Sequence, residues 1–385
     1  MSDETAYQAL GFGASGISGY AIVKELLAYP TITTFNRIIG LTNRPLSKEA
    51  ALLPEDDRIE LVSGLDLTDR DQTFRHMKGI RGIEKTTHVY FAAYAGHWMD
   101  FDQLKKINSA MLHNAVDACE ACCPGLKFFS LQTGGKMYGI EFIMEGAPYT
   151  PPFTESQPRL PEPWASKVFY YDQYEIMERA SVGKPWKFCE VRPSGIVGFV
   201  PNNNAMNMAE EFGFFLALYK EINGEGAEVP YFSSPEGWEA LHNDTSQDIL
   251  ARFHVHASLH PEKTHGRAFN VADGPGTTWK EYWPQLCKYF GLKAQPPSAS
   301  GRQFEAAEWI NAHRSRWPEV ELKYQLKEGV FERTGFGFVG VAMRFPLSRE
   351  YDLSESRAVG FTEERPQVEG YQLAFDGMKR AKIIP

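Results

Sequence analysis

The stretch Tyr7-Gln8-Ala9-Leu10-Gly11-Phe12-Gly13-Ala14-Ser15-Gly16-Ile17-Ser18-Gly19 decides the fold of this chain. Its glycines satisfy both G-x-G-x-x-G and G-x-x-G-x-x-G, between a short apolar run and an amphipathic stretch to Leu27. Glycines in such a turn permit a tight bend, close approach of the backbone to a pyrophosphate, and close packing of helix on strand. The helix N-terminus adds free N–H groups. Because a strand precedes the turn and a helix follows it, the pattern predicts dinucleotide binding rather than small-residue helix packing.

The residues after this turn alternate short β-branched runs with longer amphipathic stretches. Predicted strands are 7–12, 37–41, 59–62, 87–93, 126–131 and 187–191, and predicted helices are 17–27, 69–77, 101–122 and 165–182. This alternation is typical of βαβ units, so we expect an α/β fold with a doubly wound parallel Rossmann sheet. We expect 1–198 to form mainly the nucleotide-binding domain. The remainder, 199–385, would form mainly a smaller C-terminal substrate-binding lobe, with some segments returning to the sheet.

Composition restricts the class of protein further. The 385 residues are 43% hydrophobic and 23% charged with a net charge of −9, which is typical of a globular chain and atypical of a nucleic-acid binder. No run of 18 apolar residues is present, the start is polar and acidic, and five cysteines are scattered. We therefore expect a cytoplasmic enzyme with no nucleic-acid partner, membrane span or metal. A homodimer is one option for its assembly.

The tip of the second predicted strand indicates which dinucleotide binds. An NAD-binding domain usually carries a carboxylate there, whereas this chain has Asn43-Arg44-Pro45. A guanidinium suits a 2′-phosphate, so Arg44 favours NADP(H), although it could also be an ordinary surface arginine. At the end of the third strand, Asp66 could accept a hydrogen bond from an adenine amino group or cap the next helix.

The catalytic pair is not found by the usual Tyr-x-x-x-Lys spacing. Tyr20–Lys24 lies in the first helix and Tyr289–Lys293 far into the C-terminal half, and both matches are interpreted as chance. The helix that should carry the pattern reads Phe169-Tyr170-Tyr171-Asp172-Gln173-Tyr174-Glu175, without the lysine.

Several stretches resemble one family, the plant progesterone 5β-reductase and iridoid synthase-like enzymes, an atypical branch of the extended short-chain dehydrogenases/reductases. The most specific are Gln132-Thr133-Gly134-Gly135-Lys136-Met137-Tyr138 and Phe169-Tyr170-Tyr171-Asp172. In that family the lysine lies on the loop after the fifth strand and the tyrosine on the following helix. The resemblance therefore implies that Lys136 and Tyr171 are catalytic. This chain departs from the family at Asn43, where an arginine is usual, and at Gly139-Ile140-Glu141-Phe142, which replaces Gly-Pro-Phe.

The expected function is NADPH-dependent reduction of an activated C=C bond in a hydrophobic, carbonyl-bearing small molecule. Tyr171 would stabilise the enolate oxygen, with Lys136 assisting. The alternatives are a ketone/alcohol oxidoreductase on the same scaffold and a non-catalytic NADP-sensing regulator. The expected cofactor-binding residues are Gly13, Ser15, Gly16, Ile17, Gly19, Asn43, Arg44, Asp66, Leu67, Ala92, Ala93, Thr133, Tyr171, Ile196 and Asn203. The expected substrate-binding residues are Tyr94, Trp98, Phe142, Phe153 and Met206.

Overall fold

A computed structural model describes residues 6–96, 100–201, 207–298, 304–337 and 345–385. The chain divides into two compact units. Unit 1 comprises 1–194, 248–271 and 352–362, and unit 2 comprises 195–247, 272–351 and 363–385. The first break thus falls four residues before the predicted boundary at 198, and two later segments return to unit 1.

A seven-stranded parallel sheet forms the centre of unit 1. Its strands are β1 (Tyr7–Phe12), β2 (Phe35–Thr42), β3 (Ile59–Ser63), β4 (His88–Phe91), β5 (Phe128–Gln132), β6 (Lys187–Pro193) and β10 (Arg267–Val271). Their order across the sheet is β10-β6-β5-β4-β1-β2-β3. The order reverses at β1, which makes this the doubly wound Rossmann sheet that the alternating pattern predicts. Strand β6 extends to Pro193, two residues beyond the predicted end at 191.

Helices cover both faces of this sheet. They are α1 (Ile17–Glu25), α2 (Lys48–Ala51), α3 (Arg70–Gly79), α4 (Phe101–Cys122), α5 (Phe169–Ser181), α8 (Gln247–Leu259), α9 (Pro261–Thr264) and α14 (Ser354–Ala358). On one face, Met111 of α4 and Met177 of α5 pack into an apolar core with strand residues such as Leu10 and Phe129. Side chains of α8 reach the sheet by hydrogen bonds, and Ser258 and His254 contact Tyr90 and Ser130 at 2.8 Å. Burying both faces explains the apolar strands.

Unit 2 has its own apolar core, built around the almost fully buried helix α6 (Met208–Asn223). Its other helices are α7 (Pro235–Glu239), α10 (Trp279–Tyr289), α11 (Ala306–His313), α12 (Trp317–Tyr324), α13 (Val330–Arg333) and α15 (Gln367–Arg380). Two small parallel pairs complete it, β7 (Gly195–Val197) with β9 (Asp244–Ser246) and β8 (Glu228–Val229) with β11 (Lys293–Ala294). Among the described residues, no helix is long and apolar enough to span a membrane.

Candidate active site

The glycine-rich turn joins β1 to α1 and is shaped by two of its glycines. Gly13 has φ +85°, and a Cβ there would lie 2.8 Å from the Ala92 carbonyl oxygen at the end of β4. A Cβ on Gly19 would lie 2.2 Å from the Gly13 carbonyl oxygen. Gly13 therefore provides the tight turn and Gly19 the close packing of α1 on the turn. Gly11, inside β1, has only ordinary contacts and is less constrained than Gly13 and Gly19.

Gly16 is the glycine whose missing side chain leaves room for a ligand. It is the N-cap of α1, has φ −87° and ψ 168°, and its N–H donates to the Gly13 carbonyl at 2.9 Å. Other residues can adopt this backbone conformation, so glycine is not needed here for folding. Ser15 and Ile17 flank it at the helix N-terminus, where free N–H groups point outward. The turn therefore fits a pyrophosphate.

Replacing Gly16 by Val is expected to abolish NADPH binding while leaving the protein folded, because the branched side chain would occupy the approach to the helix N-terminus. Calorimetric titration with NADPH and a circular dichroism spectrum measure the two effects. Gly11→Ala is the matched control, and it should still bind. Tight NADPH binding by Gly16→Val would show that the pyrophosphate site has been misplaced.

The side chains at the tips of β2 and β3 take different roles from one another. Asn43 Nδ2 donates to the Leu65 carbonyl at 3.1 Å, so this amide supports the adjacent loop. Arg44 is exposed and forms no ion pair with the described residues. Asp66 Oδ1 accepts from the N–H and hydroxyl of Thr68 at 2.9 and 2.6 Å, which closes a turn. The N-cap of α3 is Asp69, so the alternative that Asp66 caps this helix is wrong.

The loop after β5 carries Lys136 and is anchored on both sides of that residue. Before it, the Thr133 hydroxyl donates to Glu190 Oε1 at 2.5 Å. After it, the Tyr138 hydroxyl donates to Asn270 Oδ1 at 2.6 Å and accepts from Arg192 Nη1 at 3.2 Å. Glu190 and Arg192 lie on β6 and Asn270 on β10, so neighbouring strands hold the loop at the carboxyl edge of the sheet.

The centre of this network is a buried ion pair. Arg192 Nη2 donates to Glu190 Oε2 at 2.8 Å, and the two residues are 8% and 0% exposed. A buried pair is held well only when its remaining polar atoms are also bonded. Thr133 bonds Glu190 Oε1 and Tyr138 bonds Arg192 Nη1, whereas Arg192 Nε is buried without a hydrogen-bond partner among the described residues. Neither Glu190 nor Arg192 was predicted from the sequence to be functional. The two residues lie two positions apart on one strand, and nothing in that local pattern distinguishes them from ordinary sheet residues.

The hydroxyl of Tyr171 is engaged on both sides, which differs from the role expected of it. It donates to the Met137 carbonyl at 3.0 Å and accepts from the Leu160 N–H at 3.0 Å. The residue is 5% exposed and belongs to an apolar cluster with Phe142 and Val168. In this arrangement Tyr171 connects the Lys136 loop to Leu160, which precedes α5 in the chain. Its proton is directed at a backbone carbonyl, and the catalytic role that the sequence predicts for it stays a prediction.

Tyr170, one position earlier, has the free hydroxyl. Its side chain is partly exposed and forms no hydrogen bond with the described part of the chain. Its ring lies 4.3 Å from the ring of Phe169 in a tilted arrangement, and Phe169 in turn lies 5.9 Å from Tyr94. Burial of the hydroxyl, and next the charges of Tyr94 and Glu141, raise the pKa of Tyr170. Tyr94 lies two residues after Ala92, the residue that adjoins Gly13, so Phe169 connects Tyr170 to the loop that follows β4.

Tyr171 faces a different space, a cavity of about 550 Å³ that it lines together with Tyr174. The cavity is lined by three arginines, 159, 192 and 267, and by three carboxylates, 155, 352 and 355. Arg159 is paired with Glu175 at 2.6 Å and Arg267 is paired with Glu355. A cavity lined by so many charged side chains does not suit the hydrophobic substrate that the sequence predicts.

The remaining predicted residues divide into three groups. Phe142 and Phe153 are 0% and 1% exposed, so they are packing residues rather than pocket walls. Phe142 contacts the ring of Phe101 at 5.0 Å, and Phe153 stacks on Tyr138 at 4.8 Å. Tyr94, Ala92, Ala93 and Leu67 lie at the carboxyl edge of the sheet in unit 1, and Ile196 lies on β7 in unit 2. Trp98, Asn203 and Met206 lie outside the described residues. Among the described residues, no group of three or more His, Cys, Asp or Glu could hold a metal ion.

The sheet, the glycine-rich turn and the second unit together define an extended short-chain dehydrogenase/reductase. The UDP-glucose 4-epimerase of Thermus thermophilus, whose structure is a complex with NAD, shares this fold with a TM-score of 0.61. It is 16% identical over 97% of this chain and 99% of the epimerase chain, so the likeness concerns the fold alone.

The chain belongs to the family of PRISE-like Rossmann-fold domains, whose model matches residues 9–385. The short chain dehydrogenase ausT of Aspergillus calidoustus is 37% identical over 100% of this chain and 96% of that protein. The 3-oxo-Delta(4,5)-steroid 5-beta-reductase of Arabidopsis thaliana is 25% identical over 98% and 93%. These relatives confirm the resemblance to the progesterone 5β-reductase-like family and place the chain among oxidoreductases.

Proposed function

We propose that this protein uses NADPH to reduce an activated C=C bond, of the enone or enal type, in a hydrophobic small molecule that carries a carbonyl group. The hydroxyl that stabilises the enolate oxygen is assigned to Tyr170 rather than to Tyr171, and Lys136 assists. The observation that carries the proposal is the Tyr170 hydroxyl, which has no hydrogen-bond partner among the described residues and lies near the rings of Phe169 and Tyr94. The relationship to a 3-oxo-Delta(4,5)-steroid reductase supports the class of substrate.

The residues around the glycine-rich turn fit a dinucleotide. Gly13, Gly16 and the N-terminus of α1 would hold the pyrophosphate, and Ala92 and Ala93 would line the adjacent strand tip. When bound, a reduced nicotinamide supplies a hydride. Thr133, whose side chain is fixed by Glu190, keeps the backbone of the Lys136 loop at this edge of the sheet.

The reaction places negative charge on the carbonyl oxygen, and the protein's part is to stabilise it there. The raised pKa of Tyr170 keeps this phenol neutral, so it retains the proton needed for a hydrogen bond to that oxygen. A donor positioned in a site of low dielectric stabilises the developing charge far more than water does. The Lys136 ammonium adds a positive charge on the adjoining loop, and solvent then protonates the α-carbon.

Arg44 is expected to set a preference for NADPH over NADH. A charge-assisted hydrogen bond to phosphate contributes about 1.5–3 kcal/mol, so Arg44→Ala should reduce the NADPH/NADH ratio of kcat/KM roughly 10- to 150-fold. Arg179→Ala is the matched control, because Arg179 is an exposed arginine of α5, far along the chain from the β2 tip. Equal efficiency with the two cofactors in the wild type would contradict the assignment.

The reaction class is tested by loss of NADPH absorbance with a panel of carbonyl compounds. The panel comprises a 3-oxo-Δ4,5-steroid, 2-cyclohexen-1-one and cyclohexanone, which differ in size and in the presence of the C=C bond. The proposal expects turnover of at least one enone and little turnover of the saturated ketone. Turnover of cyclohexanone alone would favour a ketone/alcohol oxidoreductase. Tight NADPH binding without turnover of any compound would favour a non-catalytic sensor.

A further inference from the structure

Lys136 forms an ion pair with Glu141, a residue of the same loop. Lys136 Nζ lies 2.5 Å from Glu141 Oε2, and the two side chains are only 20% and 19% exposed. Both residues belong to the same short loop, whose backbone turns at Gly139 with φ +64°. An ion pair this short and this sheltered from water is much less screened than a surface pair.

The carboxylate also lies within electrostatic reach of the aromatic hydroxyls of the site. The groups that face it are Lys136 and Glu145 on its own loop, Tyr94 after β4, and Tyr170 on α5. The ammonium of Lys167 lies 5.4 Å from the ring of the next residue, Phe142. Tyr170 packs against the cluster that contains Phe142. Glu141 therefore pairs directly with Lys136 and lies within electrostatic reach of Tyr170.

We infer that Glu141 is a positioning residue of this site: its carboxylate holds the Lys136 ammonium on the loop after β5, where Lys136 is proposed to assist the reaction. This inference rests on the proposed function, because it adds Glu141 as a third ionisable residue to the proposed pair of Lys136 and Tyr170. Burial of Glu141 raises its pKa, and the adjacent Lys136 charge acts in the opposite direction.

The first test needs neither substrate nor cofactor. The amine of Lys136 reacts with acetic anhydride only when it is unprotonated and accessible, and peptide mass spectrometry reports its rate relative to Lys184. Loss of the carboxylate that holds the ammonium should make Nζ more accessible and raise this relative rate several-fold in Glu141→Gln. Glu145→Gln removes the same charge from an exposed position on the same loop, and it should leave the rate unchanged. Glu141→Asp should retain most of the protection.

The second test measures kcat and KM separately with 2-cyclohexen-1-one. An ammonium released from its position on the loop should lower kcat in Glu141→Gln with little change in KM, and Glu145→Gln should keep the wild-type values. If Glu141→Gln does not fold, Glu141→Met replaces it in both tests. If the wild type reduces no enone, the proposed function fails and the labelling alone decides the inference. A Lys136 labelling rate equal to the wild type in the folded variant would overturn it.

Discussion

Tyr170→Phe is expected to lower kcat for enone reduction by about 10²- to 10⁴-fold, the range for removal of a positioned proton donor. The substitution removes only the hydroxyl, so ring contacts with Phe169 are retained and NADPH should bind as before. The measurement is kcat and KM with the best enone of the panel, together with calorimetric titration of NADPH. An unchanged affinity for NADPH separates a chemical defect from a folding defect.

Tyr171→Phe is the matched control, one residue along the same helix. It removes the hydrogen bonds to Met137 and Leu160, each worth about 0.5–1.5 kcal/mol, so we expect a loss of stability with a much smaller change in kcat. The opposite outcome, with Tyr171→Phe inactive and Tyr170→Phe active, would restore the tyrosine that the sequence analysis predicted and refute our assignment.

Glu190→Gln is expected to destabilise the protein by about 3–5 kcal/mol, because it leaves the Arg192 guanidinium buried without its counter-charge. The anchor of Thr133 is weakened by the same change, so the loop that carries Lys136 should lose hydrogen-exchange protection before the rest of the sheet. Urea denaturation gives the free energy of unfolding, and hydrogen exchange followed by mass spectrometry locates the loss.

The control for this prediction is Glu175→Gln, which breaks the exposed pair between Glu175 and Arg159. An exposed pair contributes about 0–1 kcal/mol, so this variant should remain close to the wild type. Equal, small effects of the two substitutions would mean that the buried pair does not hold the loop.

The central sheet could be predicted because its signals are local. The glycine turn, the strand starting at Ile59 and the helix Phe101–Cys122 depend on spacing and composition within a few residues, and each lies where the pattern put it. The boundary between the two units depends on strand pairing between residues that are far apart in the sequence. Gly195–Val197 leaves the sheet to pair with Asp244–Ser246, and no local feature of Gly195 indicates that partner.

The candidate site was less accessible to sequence reasoning for the same reason. Neighbouring tyrosines on a helix point about 100° apart. Choosing between Tyr170 and Tyr171 therefore requires knowing how helix α5 is rotated against the sheet. Phe142 and Phe153 are aromatic residues on loops, and only the structure shows that their rings are buried. The pairing of Glu141 with Lys136 follows from the turn at Gly139. The sequence showed only that Gly139-Ile140-Glu141-Phe142 replaces the Gly-Pro-Phe of the family, and this replacement did not indicate the turn.

The position of a transferred deuterium tests the proposed reaction most directly. The wild-type enzyme is supplied with the enone it turns over and with NADPH carrying deuterium at the transferable position of nicotinamide C4, and the product is analysed by NMR. The account predicts a saturated carbonyl compound with deuterium on the β-carbon and a solvent proton on the α-carbon. An allylic alcohol with deuterium on the former carbonyl carbon would contradict it and identify a carbonyl reductase.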